Sequence, residues 1–299
     1  MMMLTYFLLT LTLPVENATT GQPVDSAYAI VYGIFPDGRA TVIDSGVVKN
    51  GKLDFQVKDT SLKNIGIQIR YRGFDFFSPV LHLPLKGDEK LLVYNVTNKS
   101  EGISAVGYDG FIVDQDSLIV VSENIYLDVQ GKEAVLPSKP ILKIVLPEGF
   151  TNFRYTGLPT DTVEVVGDTL FVRPFVVPGA NNIVGFVYAT KRKIKLSRDF
   201  GSIQYSLAIP KRLKHKVNGL TLKGEQPMGN VILMVYTGTN PFTVEASTGA
   251  AGGLSSLLTQ YKYAIAAVVA ILLLLGLFYL QKKQKGAEKE TDEEEKKEE

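Results

Sequence analysis

Leu9–Glu16, LTLTLPVE, places Leu9, Leu11, Leu13 and Val15 at every second position, with Thr10, Thr12 and Glu16 between them. Successive side chains of an extended chain point to opposite faces, so this spacing makes one apolar face and one polar face. A helix would need apolar residues three and four apart. The stretch therefore reads as a β-strand, and Phe7 continues its apolar row upstream. A second reading competes. MMMLTYFLLTLTLP is apolar, and Ala18 offers a small residue at which an export signal would end. The start carries no Lys or Arg, and the alternation persists to Val15. We therefore assign Leu9–Glu16 as the first strand and leave residues 1–8 as an apolar N-terminus, a remnant or part of an export signal.

Working outward to Thr97, short β-rich runs alternate with turn chemistry. Thr20-Gly21-Gln22-Pro23, Pro36-Asp37-Gly38 and Asn50-Gly51 punctuate apolar alternation over residues 27–34, 41–48 and 53–57. A later run, residues 65–71, leads into the aromatic stretch RGFDFFSP, residues 72–79. This spacing predicts a small antiparallel sandwich over residues 9–100. The segments TTGQPVDSAYAIVYGIFPDGR, VVKNGKLDFQV and IQIRYRGFDFFSPV together resemble the carboxypeptidase regulatory-like, transthyretin-like β-sandwich. The matching positions are Gly21, Pro23, Val24, Gly51, Leu53, Phe55, Tyr71, Gly73, Phe77, Ser78 and Pro79. They are turn and core positions, so the resemblance implies fold and no activity. In bacterial envelope proteins similar to this chain, that domain is followed by a second β-domain and one C-terminal helix.

After the polar break NKSEG, residues 98–102, strand candidates recur at residues 117–122, 125–129, 141–146, 162–166, 169–176, 182–188, 202–208 and 231–236. They predict a second sandwich over residues 101–245. ILKIVLPEGFTNFRY and VVPGANNIVGFVYAT resemble the second domain of the same envelope proteins through Leu146, Pro147, Gly149, Pro178, Gly179, Val184, Phe186 and Tyr188. The expected fold class is thus all-β: two tandem β-sandwich domains followed by a single C-terminal transmembrane helix.

That helix is expected at Tyr263–Leu280, YAIAAVVAILLLLGLFYL, which has no charge and is long enough, at about 1.5 Å per residue, to cross a bilayer's hydrocarbon. Lys282, Lys283 and Lys285 follow directly, against Lys262 alone on the other side, which places the C-terminus in the cytoplasm and the preceding chain outside. Residues 246–262 read as a flexible juxtamembrane linker and residues 281–299 as a charged cytoplasmic tail. Ala266 and Ala270 form a small-xxx-small pair suited to a second helix. The 45% apolar composition suffices for real cores, and a net charge of +1 gives no case for nucleic acid. The absence of cysteine excludes disulfides, thiol catalysis and thiolate metal sites.

Candidate chemistry is sparse. Residues 46–53, GVVKNGKL, come within one residue of a phosphate-binding loop, yet Leu53 stands where a hydroxyl is needed, and Asn50-Gly51 is a hairpin turn. His82 and His215, the two histidines, fall in different expected domains. Asp109, Asp114 and Asp116 lack the glycine and distal glutamate of a calcium loop. Asn17, Asn95 and Asn98 begin sequons that accept glycans in a eukaryotic secretory pathway. Two surfaces have the composition of an interface. One is Arg70, Arg72, Phe74, Phe76 and Phe77, with core packing as the competing account. The other is the basic run Lys191, Arg192, Lys193, Lys195 and Arg198, continued by Lys211, Arg212, Lys214 and Lys216. It suits anionic headgroups or an acidic partner, or else guards the solvent edges of two strands.

The expectation is a non-catalytic, membrane-anchored extracytoplasmic binding or assembly module, or an accessory subunit of an envelope complex. It needs no cofactor or metal, and its partners are the membrane, envelope proteins and, in one version, a glycan. The alternative is a membrane-bound hydrolase with a site between the two domains using His82 or His215.

Overall fold

The computed structural model describes residues 9–59, 61–115, 118–157 and 161–248. The described residues belong to one compact unit. The apolar run Tyr263–Leu280 with Ala266 and Ala270, the chain from residue 249 leading to it and the charged tail lie outside the described residues. Among the described residues no helix is long and apolar enough to cross a membrane. What is described is all-β.

The first nine strands are β1 (Leu9–Asn17), β2 (Gln22–Pro23), β3 (Tyr28–Ile34), β4 (Ala40–Val47), β5 (Lys52–Val57), β6 (Asn64–Tyr71), β7 (Phe74–Phe77), β8 (Leu81–His82) and β9 (Leu91–Val93). β1 is central. It runs antiparallel to β5, with Leu9 opposite Val57 and Pro14 opposite Lys52, and parallel to β9 from Val15 onward. The period of two decides what is buried: Leu13 and Val15 from β1, and Leu53, Phe55 and Val57 from β5, meet Ala29, Val31, Ile65, Ile67 and Ile69 from the facing sheet β4-β3-β6-β7. Two-residue turns set the registers. Arg72 and Gly73 both take positive φ, 51° and 86°, between the paired Tyr71 and Phe74, as a tight hairpin requires. Asn50 and Gly51 do the same at 51° and 70°, so the stretch resembling a phosphate loop is a turn. A Cβ on Gly51 would lie 2.6 Å from the Pro23 ring, so glycine is also needed there for space.

The later strands are β10 (Val96–Thr97), β11 (Ile103–Gln115), β12 (Leu118–Val129), β13 (Ala134–Val135), β14 (Leu142–Val145), β15 (Thr151–Tyr155), β16 (Thr162–Val166), β17 (Thr169–Arg173), β18 (Asn182–Lys191), β19 (Lys193–Arg198), β20 (Gln204–Pro210), β21 (Lys214–Asn218), β22 (Thr221–Met228), β23 (Val231–Gly238) and β24 (Phe242–Ser247). A seven-stranded sheet, β15-β18-β12-β11-β20-β23-β22, shares one apolar core with two three-stranded sheets, β14-β17-β16 and β19-β24-β21. The candidates at residues 117–122 and 125–129, expected as two strands, are one strand from Leu118 onward, β12, because the intervening Glu123 is satisfied inside the core instead of breaking it. β11, opposite it, was hidden by Gly107, Asp109 and Gly110. Gly110 leaves little room for a side chain: a Cβ there would lie 2.7 Å from the Tyr108 hydroxyl and 2.9 Å from Leu207 Cδ1. β24 carries its sheet through Ser247, two residues into the stretch read as a linker, with Ala246 buried.

The two cores are stitched together. β10 pairs in parallel with β13, Val135 and Val176 exchange backbone hydrogen bonds at 2.8 and 2.9 Å, and Tyr94 donates its hydroxyl to the Pro178 carbonyl at 3.1 Å. Ala134 and Phe175 belong to the first core although they come from the later chain.

Candidate functional site

Arg198 reaches inward from β19, the strand whose sequence K-I-K-L-S-R alternates charged and apolar residues. Ile194 and Leu196 occupy the core phase of that alternation, and Arg198 follows in the same phase. Its guanidinium meets Glu123 of β12 through Nε to Oε2 at 2.5 Å and Nη2 to Oε1 at 2.6 Å, and both side chains are buried, at 3% and 0% exposure. Tyr108 of β11 donates to Oε2 at 2.8 Å and Tyr188 of β18 to Oε1 at 2.7 Å. Each carboxylate oxygen thus accepts two hydrogen bonds, which fills its capacity. Nη1 donates to the carbonyls of Val145 in β14 and Ser197, at 2.9 and 2.8 Å. One arginine therefore ties all three sheets of the second core.

The electrostatics follow from burial. Desolvation, the largest influence on Glu123, pushes its carboxyl up, but the Arg198 charge, its hydrogen bonds and the two phenols outweigh it and hold the group below the ordinary glutamate value. Burial, then the Glu123 charge, drives Tyr108 and Tyr188 well above an ordinary phenol. Arg198 is raised: Glu123 offsets the opposing desolvation. A carboxylate so saturated and sealed has no vacant lone pair for proton transfer. The cluster organises the core. It also removes Arg198 from the basic surface on which the sequence reading put it.

The two small sheets turn contrasting faces outward. On β19-β24-β21 the register aligns Lys193 with Ser247 and Lys214, Lys195 with Glu245 and Lys216, and Ser197 with Thr243 and Asn218. Four exposed lysines surround one glutamate, and Lys195 pairs with it at 3.2 Å. Lys191, at the end of β18, and Arg192, between β18 and β19, are exposed. Lys211 pairs with Glu225 at 2.7 Å and Arg212 with Asp114 at 2.8 Å.

On β14-β17-β16 the outward rows are Val145, Thr169 and Val166, then Lys143, Phe171 and Glu164. β16 is an edge strand paired to β17 without a bulge, and it exposes Val165 and Val166, at 39% and 55%. Beside it lies an open groove of about 260 Å³ lined by Ser138, Pro140, Thr162, Glu164, Phe171 and Arg173.

The rim of the first core divides. Phe76 is buried, and with half-buried Phe74 it packs on Phe175 at 5.6 and 5.7 Å between ring centroids, so both rings help to join the cores. Arg72 lies over Tyr71 at 5.1 Å and donates to Asn95 at 3.3 Å. Asn17, buried, donates to Asn95 at 3.0 Å, which closes that sequon in the folded protein. Arg70, Arg72 and Phe77 stay exposed.

His82 meets Asn64 Oδ1 at 2.7 Å. His215 meets the Leu213 carbonyl through Nδ1 at 2.7 Å, which makes Nδ1 the donor and leaves Nε2 to accept from Tyr236 at 2.8 Å. Neither imidazole has a serine or carboxylate partner among the described residues. Asp109, raised by burial against an opposing hydrogen bond, accepts from Tyr126 at 2.7 Å, and Asp116 is outside the described residues. No group of three His, Asp or Glu side chains among the described residues is placed to hold a metal ion.

No protein family matches the chain, and no curated protein does. Among solved structures, an M1 zinc metallopeptidase from Deinococcus radiodurans aligns at 10% identity and a TM-score of 0.31. The alignment covers 50% of this chain and 43% of that protein, and at this score it carries no argument.

Proposed function

We propose that the chain is a membrane-anchored, non-catalytic assembly module: a pair of tandem β-sandwiches outside the membrane, tethered through a span at Tyr263–Leu280, docking another envelope protein. The resemblance to carboxypeptidase regulatory-like domains of envelope proteins supports this, as does the structural employment of every buried ionisable cluster described above. The observation that carries it is the β16 edge. Edge strands that stay solitary are guarded by lysine, proline or bulges. β22 has all three: Lys223, Pro227 and a bulge at Leu222–Gly224. β16 has no lysine, proline or bulge; Glu164 is its one outward charge, Val165 and Val166 on it are exposed, and exposed Val145 lies across β17 on β14. The hydrolase alternative has no comparable observation in its favour, since His82 and His215 are bonded to an amide, a carbonyl and a phenol.

The test is the size of the full chain extracted from its native membranes in mild detergent. A complex larger than the 32.8 kDa monomer is expected, and Val145→Lys with Val166→Lys should dissociate it without shifting the unfolding midpoint. A monomeric wild type, or a complex indifferent to both lysines, overturns the proposal.

A further inference from the structure

The charge on β19-β24-β21 is graded. The row of Ser197, Thr243 and Asn218 is neutral, the next holds Lys195, Glu245 and Lys216, and the last holds Lys193, Ser247 and Lys214. Beyond the last row come Lys191 and Arg192, whose carbonyl accepts the Thr248 N–H at 2.8 Å. Among the described residues no carboxylate lies within ion-pair distance of Lys191, Arg192, Lys193, Lys214 or Lys216; Lys195 alone on this face is paired. The cations thus gather at the end where the chain leaves the described residues. Fourteen residues, 249–262, separate that end from Tyr263, and fully extended they span at most about 50 Å.

Strand spacing puts the four lysines at the corners of a nearly flat array roughly 10 Å by 7 Å. No outward residue of this sheet is apolar or aromatic, whereas protein interfaces are enriched in aromatics and depleted in lysine. A plane of diffuse positive charge fits a plane of phosphates better than a shaped protein partner. We infer that this face rests on anionic phospholipid headgroups of the membrane that holds the apolar run. The inference rests on the reading of Tyr263–Leu280 as a span. Each basic residue at an anionic surface strengthens such a contact roughly fivefold, and salt weakens it.

The full chain, placed in lipid nanodiscs of phosphatidylcholine alone or with one third phosphatidylglycerol, is acetylated and read residue by residue by mass spectrometry. Acetylation of Lys193, Lys195, Lys214 and Lys216 should slow roughly fivefold or more in the anionic discs. Raising salt from about 0.1 M to about 1 M should restore it. Lys52 and Lys63 of the first core should not change. Lys193→Gln with Lys214→Gln should release Lys195 and Lys216. Equal rates in both lipids overturn the docking while leaving the span intact. A chain that fails to enter the discs overturns the span, and this inference with it. Protection already present in neutral detergent and lost on truncation after Lys285 would make the chain's own acidic tail the occupant and overturn the lipid assignment.

Discussion

Replacing Arg198 by Met removes a cation from the second core while keeping most of its volume. Glu123, fully buried, would keep two phenolic donors and lose the bidentate partner at 2.5 and 2.6 Å; the carbonyls of Val145 and Ser197 would lose Nη1. Breaking a buried pair from one side costs about 3–5 kcal/mol. For a folded unit of this size that lowers the thermal midpoint by roughly 6–20 °C. The sign of the pH dependence is a sharper check. In the wild type the Glu123 carboxyl is held below its ordinary 4.5, so the pair contributes stability above that value and loses it as pH falls through the folded value. In the variant, desolvation faces only Tyr188 and Tyr108, and the carboxyl rises above 4.5. The folded variant then binds a proton more readily than its unfolded chain, and stability is regained as pH falls from 7 toward 4.5. The deficit against wild type should therefore narrow on acidification. Adding Glu123→Leu should recover most of the loss, because a paired ion replaced on both sides by apolar groups is often neutral. Urea unfolding of the full chain in nonionic detergent, followed by the near-ultraviolet signal of its 14 tyrosines without tryptophan, measures all three. A loss under about 1 kcal/mol, or a deficit constant between pH 7 and pH 4.5, would refute the reasoning.

Two further outcomes follow from the same packing. Phe175→Ala deletes the ring on which Phe74 and Phe76 pack at 5.7 and 5.6 Å, and should destabilise the first core by about 3–5 kcal/mol although it lies in the later chain. Hydrogen exchange of β6 and β7 would locate the loss, and unchanged protection there would contradict it. On the alkaline side, Tyr108 and Tyr188 are raised above the ordinary 10.0, so the stability they contribute is complete below pH 10 and falls as pH rises through the folded values. Tyr108→Phe with Tyr188→Phe should flatten that alkaline limb; a limb unchanged in the double variant would assign it to other groups.

The all-β class was legible wherever apolar residues kept a period of two between turn signals. β1 shows this most clearly: LTLTLPV fixed Leu13 and Val15 inward, and the register against β5 did the rest. The sequence reading faltered where a polar or small residue sat in the interior of a strand. Residues 103–115 offered no strand candidate, yet with Gly107, Asp109 and Gly110 among them they form β11, where the Tyr126 ring packs close over Gly107, 3.3 Å from where a Cβ would lie, and the Tyr108 hydroxyl and Leu207 side chain crowd Gly110. The seam between the cores was invisible for a different reason. Phe175 packs on Phe74 and Phe76 of the first core across roughly 100 residues of chain, and nothing local marks an aromatic that packs at that distance.

The ion pair, by contrast, left a trace in each partner strand. In β12 the core phase runs Ile119, Val121, Glu123, Ile125 and Leu127, and in β19 it runs Ile194, Leu196 and Arg198. Each sequence holds one charge in an otherwise apolar row, and the charges are opposite. An isolated charge in a core costs several kcal/mol after relaxation, so a fold containing either strand as drawn must supply a counter-charge. Counting Arg198 with its neighbours as a basic run ignored the phase of β19. Lys193 and Lys195 share the outward phase and belong to the surface, whereas Arg198 shares the phase of Ile194 and Leu196 and belongs to Glu123. The same alternation that sends one arginine inward to lock three sheets leaves the lysines facing out as a flat charged plane, so core specificity and surface charge arise from one six-residue pattern.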